Sequence, residues 1–323
     1  MGVITNTYTA WDAKGIREDL SDVIYRISPT ETPFMSSVGK GTVNQQYFEW
    51  QNDALASASA TNAQIDGNDY TSFPAVVATQ RLGNYTQIAA KQTLVSGRLD
   101  RVKKAGRKSE TAYQLAMRAA ELKRDMEASL TQNNAVVVGS DSVAGLTASY
   151  ESFMNVTANA SRGATGANPT LSGGTSGYPN AAPTDGTARA FSETLLKGVL
   201  AAVWNAGGHN KVCMVDGTQK QTVSTFTGIA TLRHETGQSA TRIIAAADLY
   251  VSDFGEVQIV PNRFMRHKSA LLFDPDFIEV VYLRPFQQVE LAKTGDAEKR
   301  LLLVDFGLKV NHTGACGIVA DLT

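Results

Sequence analysis

Cysteine is almost missing from this chain: two in 323 residues, Cys213 and Cys316, in no CxxC spacing. That excludes a disulfide framework and a cysteine-based zinc site. Histidine is nearly as scarce, and His209, His234, His267 and His312 show no metal-binding pattern. His234–Glu235 opens an HExxH, but Gln238 stands where the second histidine belongs. Charged residues make up only 19% and the net charge is −1, which speaks against a freely diffusing nucleic-acid binder with its basic excess. No apolar run reaches transmembrane length. The first twenty residues lack a basic stretch followed by an apolar one, so no secretory signal is expected, and folding in a reducing cytoplasm fits.

Catalytic signatures are missing as well. There is no GxGxxG, no GxxxxGK[ST] and no GxSxG. Ser37–Lys40 matches SxxK and Lys293–Gly295 matches KTG, both patterns of penicillin-recognising enzymes. That chemistry needs the serine at the start of a buried helix. Here a glycine follows two residues on and no SDN stands between, so the match is read as chance. No catalytic residue, cofactor or metal is expected.

What is present is 43% apolar residues, enough for a large core or two domains. The organising stretch is Ser109–Thr131. Ala112, Leu115, Ala119, Leu122, Met126 and Leu130 recur at steps of three and four, which predicts one buried helix face. Glu110, Gln114, Arg118, Glu121, Arg124, Asp125 and Glu127 are assigned to the other face. Ser109 is the expected N-cap, with Glu110 against the positive end of the dipole. Such a helix is a rod of about 35 Å.

Before it, residues 1–40 read as an arm whose apolar anchors, Trp11 among them, have too little of their own to pack against; Pro29 and Pro33 prevent a long helix. Val43–Trp50 and a run from Val76 through Ile88 to Val95 are strand-like and joined by a polar tip. A two-stranded ribbon of this kind is marginal alone. Trp11, Phe34, Tyr47, Phe48 and Trp50 are therefore candidate contacts with a neighbouring subunit, Trp50 foremost. Arg98, Arg101, Lys103, Lys104, Arg107 and Lys108 crowd the lead-in to the helix; they are read as a solvated face, with phosphate or an acidic neighbour as the alternative.

Residues 139–189 are rich in Gly, Ser, Thr and Ala and read as a surface insertion or connector. From Phe191 an α+β module is predicted: an amphipathic helix stopped at Gly207–Gly208, a buried strand at Lys211–Val215, a short helix capped by Asp216, and strands at Ile243–Ala247, Glu256–Val260 and Leu271–Phe273. Phe277–Leu283 is a further strand. A hairpin follows, QVELAK and RLLLVDFGLKV about the turn TGDAEK, long enough to lie along the Ser109–Thr131 helix.

Several stretches carry a family resemblance: SDVIYRISPTETPFMSSVGKG, FEWQNDAL, NYTQIAAKQTLVSG, ELKRDME, DFGEVQIVPNRFM and LAKTGDAEKRLLLVDFGLKV. In that order they resemble the tailed-phage major capsid proteins of the Hong Kong 97 fold. The resemblance implies an α+β chain with an N-terminal arm at 1–41 and an extended β-hairpin loop at 42–95. A peripheral domain with the spine helix and a surface insertion would cover 96–189 and 277–310, and an axial domain 190–276 and 311–323. It implies self-assembly into hexamers and pentamers of an icosahedral head around double-stranded DNA. The shell would have portal, scaffold or decoration proteins as further partners, and no membrane. Some members crosslink a loop lysine to a neighbour's asparagine; here no lysine stands between Lys40 and Lys91, so an uncrosslinked shell is expected. The alternative is the shell of a cellular nanocompartment, which shares the fold.

Overall fold

The computed structural model describes residues 29–323 apart from 57, 70–72, 74, 77 and 227–248. Trp11 with the rest of the arm to residue 28, Val77, His234 and the strand expected at 243–247 lie outside the described residues.

In chain order, a single-turn helix α1 (Pro33–Ser37) leads into β1 (Gly39–Thr42). A ribbon of β2 (Tyr47–Asn52) and β3 (Gln80–Tyr85) follows, then β4 (Gln87–Ser96), α2 (Gly97–Arg101) and the long α3 (Glu110–Thr131). The next stretch holds only short elements: α4 (Tyr150–Phe153), β5 (Ala160–Ser161), β6 (Thr170–Leu171) and β7 (Pro179–Ala181). After it come α5 (Glu193–Asn205), β8 (Val212–Val215), α6 (Gly217–Val223), β9 (Leu249–Ser252), β10 (Gly255–Pro261) and β11 (Ala270–Phe273). The chain closes with β12 (Ile278–Glu290), β13 (Ala297–Val310) and β14 (Gly317–Val319).

Two sheets organise these elements. The first has the order β1-β12-β13-β4, with β12, β13 and β4 antiparallel and β1 parallel to β12. The predicted hairpin is its centre, but β12 runs unbroken from Ile278 to Glu290, so Phe277–Leu283 and QVE are one strand and not two. The strand passes Pro285, which has no N–H to give, by register shifts between Tyr282 and Arg284 and between Arg284 and Gln287. The second sheet has the order β5-β14-β11-β8-β10-β9. All four residues of β8 and of β11 are buried, because this sheet is covered on both faces. On one face Cys213, Val215, Ala270 and Leu272 meet Leu196, Val199, Leu200 and Val203 of α5. On the other, Met214, Leu271 and Phe273 join the core that also holds Leu122, Met126 and Leu130 of α3.

The helix α3 lies against β4 and β13. Ser109 caps it as predicted, its Oγ accepting from Ala112 N at 3.3 Å, and Asp100 Oδ1 accepts from Glu110 N at 2.7 Å. Lys91 of β4 pairs with Asp125 at 2.6 Å on the helix. The predicted stripe is buried only in its C-terminal half: Ala112 is exposed and Leu115 half-buried, whereas Leu122, Met126 and Leu130 are covered where α1 joins the helix. Glu110 and Glu127, expected on the polar face, are buried too.

The largest correction concerns 139–189, expected as a surface insertion or connector. Ala148, Ser149, Tyr150, Glu151, Ser152 and Phe153 are wholly buried. Tyr150 and Phe153 stand in the core between the two sheets, and Tyr150 Oη donates to Leu272 O at 2.7 Å. Further on, β5 joins the second sheet beside β14. The buried polar side chains here are satisfied at long range. Ser152 Oγ donates to Asn134 O at 2.6 Å, and Glu151 meets Ser269 and, at 3.2 Å, Arg266.

Candidate assembly interface

Pro33 opens α1 at the position where its missing N–H costs nothing. That leaves the next two amides to find an acceptor, and they find a carboxylate of α3. Phe34 N donates to Glu127 Oε1 at 2.7 Å and Met35 N to Oε2 at 2.9 Å, while Asn262 Nδ2 donates to Oε1 at 2.7 Å. Burial pushes the Glu127 carboxyl above its ordinary value, against the pull of these donors. Phe34 itself is wholly buried, edge-on to Phe273 at 5.5 Å and Tyr150 at 6.3 Å. Its expected role as an open anchor is therefore corrected: it ties α1 to the body of its own subunit.

The same correction applies to Phe48 and Trp50. On β2 these alternate positions turn inward, stacked on each other at 5.8 Å, and Trp50 lies 5.8 Å from Phe153. Trp50 Nε1 donates to Val310 O at 2.8 Å. Phe48 lies on Gly307 of β13, where a Cβ would stand only 2.9 Å from its ring. A glycine inside a strand marks close approach, and that signal was open to sequence reasoning. Asn84 of β3 completes the anchorage, donating to Leu308 O at 2.7 Å and Thr147 Oγ1 at 3.0 Å and accepting from Ala148 N at 3.0 Å. Tyr47 is half-buried, 4.7 Å from Tyr85 and 6.1 Å from Tyr178, with its hydroxyl 2.7 Å from Glu49. Burial, then that carboxylate, raises its pKa.

The loop expected over 42–95 is thus shorter than its sequence pattern. Residue 42 belongs to β1 and 87–96 to β4, both in the first sheet, and the β2–β3 base is packed. The described apolar side chains of the tip stand open. Leu55 is 99% exposed and Val76 97%, with Ile65 and Phe73 nearly as open.

At the start of α3 the six cations divide. Lys104 Nζ donates to Leu99 O at 2.5 Å and Val102 O at 3.1 Å. Arg107 pairs with Glu110 and lies 5.1 Å over the Tyr113 ring. Hydrogen bonds from Gln114 and then Arg107 hold the Glu110 carboxyl below its usual range. Arg98, Arg101, Lys103 and Lys108 are exposed and have no ion pair among the described residues.

Among the described residues, the SxxK and KTG matches are not brought together. Ser37 Oγ donates to Phe34 O, and the Lys293–Gly295 turn lies the length of β12 away from it. Cys213 and Cys316 are free and buried, which pushes both thiols up to about 12. No described helix is long and apolar enough to cross a membrane.

Known proteins share this architecture end to end. The chain is 26% identical to the major capsid protein of Escherichia phage Phieco32 over 97% of its own length and 96% of that protein's. The capsid subunit of cyanophage A-1(L) superposes with a TM-score of 0.67 at 14% identity, covering 95% of this chain and 97% of the other. The capsid of a native GTA particle gives 0.59 at 13% identity, covering 97% and 98%. The fold is that of the Hong Kong 97-like phage capsids. With residues 3–323 matching the family described as SU10 major capsid protein, the chain belongs to that family.

Proposed function

We propose that this major capsid protein builds the icosahedral phage head as hexamers and pentamers around double-stranded DNA, without a catalytic step of its own. The observation that carries this reading is the contrast between a packed, hydrogen-bonded loop base and a tip whose large apolar side chains no described residue covers. Isolated monomers rarely leave such surface open, and a shell of copies supplies the cover. The four-stranded sheet with α3 would be the peripheral unit, and the six-stranded sheet with α5 the axial one, now including β5 from the 139–189 stretch. Other copies are the first partner. Portal, scaffold or decoration proteins follow; one structural neighbour is the P4 procapsid with its size-determination protein. The chain would be made in the bacterial cytoplasm and end in the virion. None of the relatives named above is a nanocompartment shell, so the phage head is the reading we adopt. Negative-stain microscopy of the recombinant chain tests it: closed or sheet-like particles are expected. A monodisperse small oligomer at every salt and pH would overturn it.

A further inference from the structure

We propose that Asp66–Gly67, in an exposed turn of the β2–β3 loop, is a site of spontaneous main-chain modification, where a succinimide closes and reopens to isoaspartate. This stands apart from the shell reading and does not depend on it. The sequence holds three Asp–Gly pairs, Asp66–Gly67, Asp185–Gly186 and Asp216–Gly217, and no Asn–Gly. All three meet the local requirement, since a glycine leaves its amide nitrogen unshielded by a side chain. The fold separates them.

Two pairs are locked. Asp185 is held by Arg266 and, at 3.2 Å, by Lys268. The hydrogen bond from Arg266 keeps its carboxyl below the usual range, in the ionised form that cannot shed water. Gly186 is wedged as well: a Cβ there would stand 2.6 Å from Gly166 N and 2.7 Å from Ala164 O. Asp216 caps α6, its carboxylate accepting from Thr218 N at 3.3 Å and its carbonyl from Lys220 N at 2.8 Å. Gly217 is the first residue of that helix, so a ring closed on its nitrogen would break the cap and unwind the first turn.

The third is unrestrained. Residues 61–69 are exposed throughout, and Asp66 makes no hydrogen bond or ion pair among the described residues. Asp66 and Gly67 are the central pair of a turn closed by Asn68 N donating to Ile65 O at 3.1 Å. Gly67 takes φ +76°, a left-handed value that glycine adopts freely, and a Cβ there would meet nothing. Neither packing nor bonding opposes the approach of Asp66 Cγ to Gly67 N.

In the step itself, Gly67 N bonds to Cγ of the protonated Asp66 carboxyl. The Cγ–OH bond breaks, and the hydroxyl leaves as water with the amide proton. Water then adds to one of the two imide carbonyls. Cleavage at Cγ restores aspartate; cleavage between the α-carbonyl and Gly67 N leaves the chain running through Cγ. No oxidant or reductant takes part, and one water lost is one water regained. The product has an additional main-chain carbon between Ile65 and Gly67 and a displaced carboxylate, so the turn carries a mark of the chain's age.

The three pairs test the assignment within one molecule. Unassembled full-length subunits are held in warm neutral buffer and digested at intervals with Asp-N protease, which cuts before aspartate but not before isoaspartate. Loss of the cut at Asp66 should accumulate at least tenfold faster than at Asp185 or Asp216, with circular dichroism unchanged. Fragmentation of the uncut peptide should place the added main-chain carbon at residue 66. In urea, which frees all three pairs, the rates should converge to within threefold. Gly67→Val should slow the change at Asp66 at least tenfold by shielding the amide. Folded subunits that stay fully cut at Asp66, or convert alike at all three sites, overturn the proposal. So do rates that remain apart in urea, or a lost cut without the added carbon. Should Gly67→Val misfold, Asp66→Glu gives an independent answer, because its longer side chain cannot close the five-membered ring. A tip peptide lighter by one water is expected from wild type alone, and the same species from Asp66→Glu overturns the assignment.

Discussion

At the scale of single residues, Glu127 is the least expected feature. With no cation paired to it among the described residues, its carboxyl gathers two amides of α1 and the side chain of Asn262 in a buried site. Burial raises its folded-state pKa above the ordinary 4.5. For an acid this sign means that the folded chain holds the proton more tightly than the unfolded one. The contribution is fully present below the unfolded pKa and is lost as pH rises through the raised folded value. Wild type should therefore lose ground to Glu127→Gln as pH climbs from 4.5 toward 8, measured as the difference in urea midpoint between unassembled subunits. A difference independent of pH would refute this account of Glu127.

Among the elements, α3 packs against β4, β13, α1, α2 and α4. Its Leu122 is buried mid-stripe, while Glu121, the next position round, is partly exposed and pairs with Arg118 at 2.6 Å. Leu122→Asp should destabilise the subunit by several kcal/mol, the cost of placing an unpaired carboxyl in the core. Glu121→Ala should change stability by about 0.5 kcal/mol or less, as exposed pairs within a helix do. Equal yields and melting temperatures for the two variants would be the adverse result. The element-scale surprise is the 148–154 stretch, a single helical turn that fills the junction between two sheets.

For the whole molecule, the structure separates a packed loop base from an uncovered tip. Replacing 53–69 by a short Gly–Ser turn should leave a folded, helix-containing chain that no longer closes shells, compared by circular dichroism and microscopy on one preparation. Removing β2 and β3 as well should unfold it, since Phe48, Trp50, Leu82 and the bonds of Asn84 belong to the core. Shells that form normally after the shorter replacement would deny the tip its role. With both thiols buried and no lysine in the tip, particles should come apart into single chains on denaturing gels without reductant, and a ladder of covalent multimers would refute this.

Where structure is local, the order of residues along the chain was enough. Ser109 and Asp216 cap the helices they were expected to cap, α5 follows its 3.6-residue period, and the β12–β13 hairpin turns at TGDAEK. These depend on neighbours a few positions away. Tertiary structure alone decided which polar residues go inside. Nothing within TASYESFM announces burial, because Ser152 and Glu151 are satisfied by Asn134, Ser269 and Arg266, up to 118 positions distant. Glu127 likewise reads as a polar-face residue until α1 and Asn262 converge on it. Aromatic character marked Trp50 for burial, but periodicity is silent on what covers a face. Here it is β13 of the same chain that covers it, while Leu55, Ile65, Phe73 and Val76 beyond Asn52 stay open.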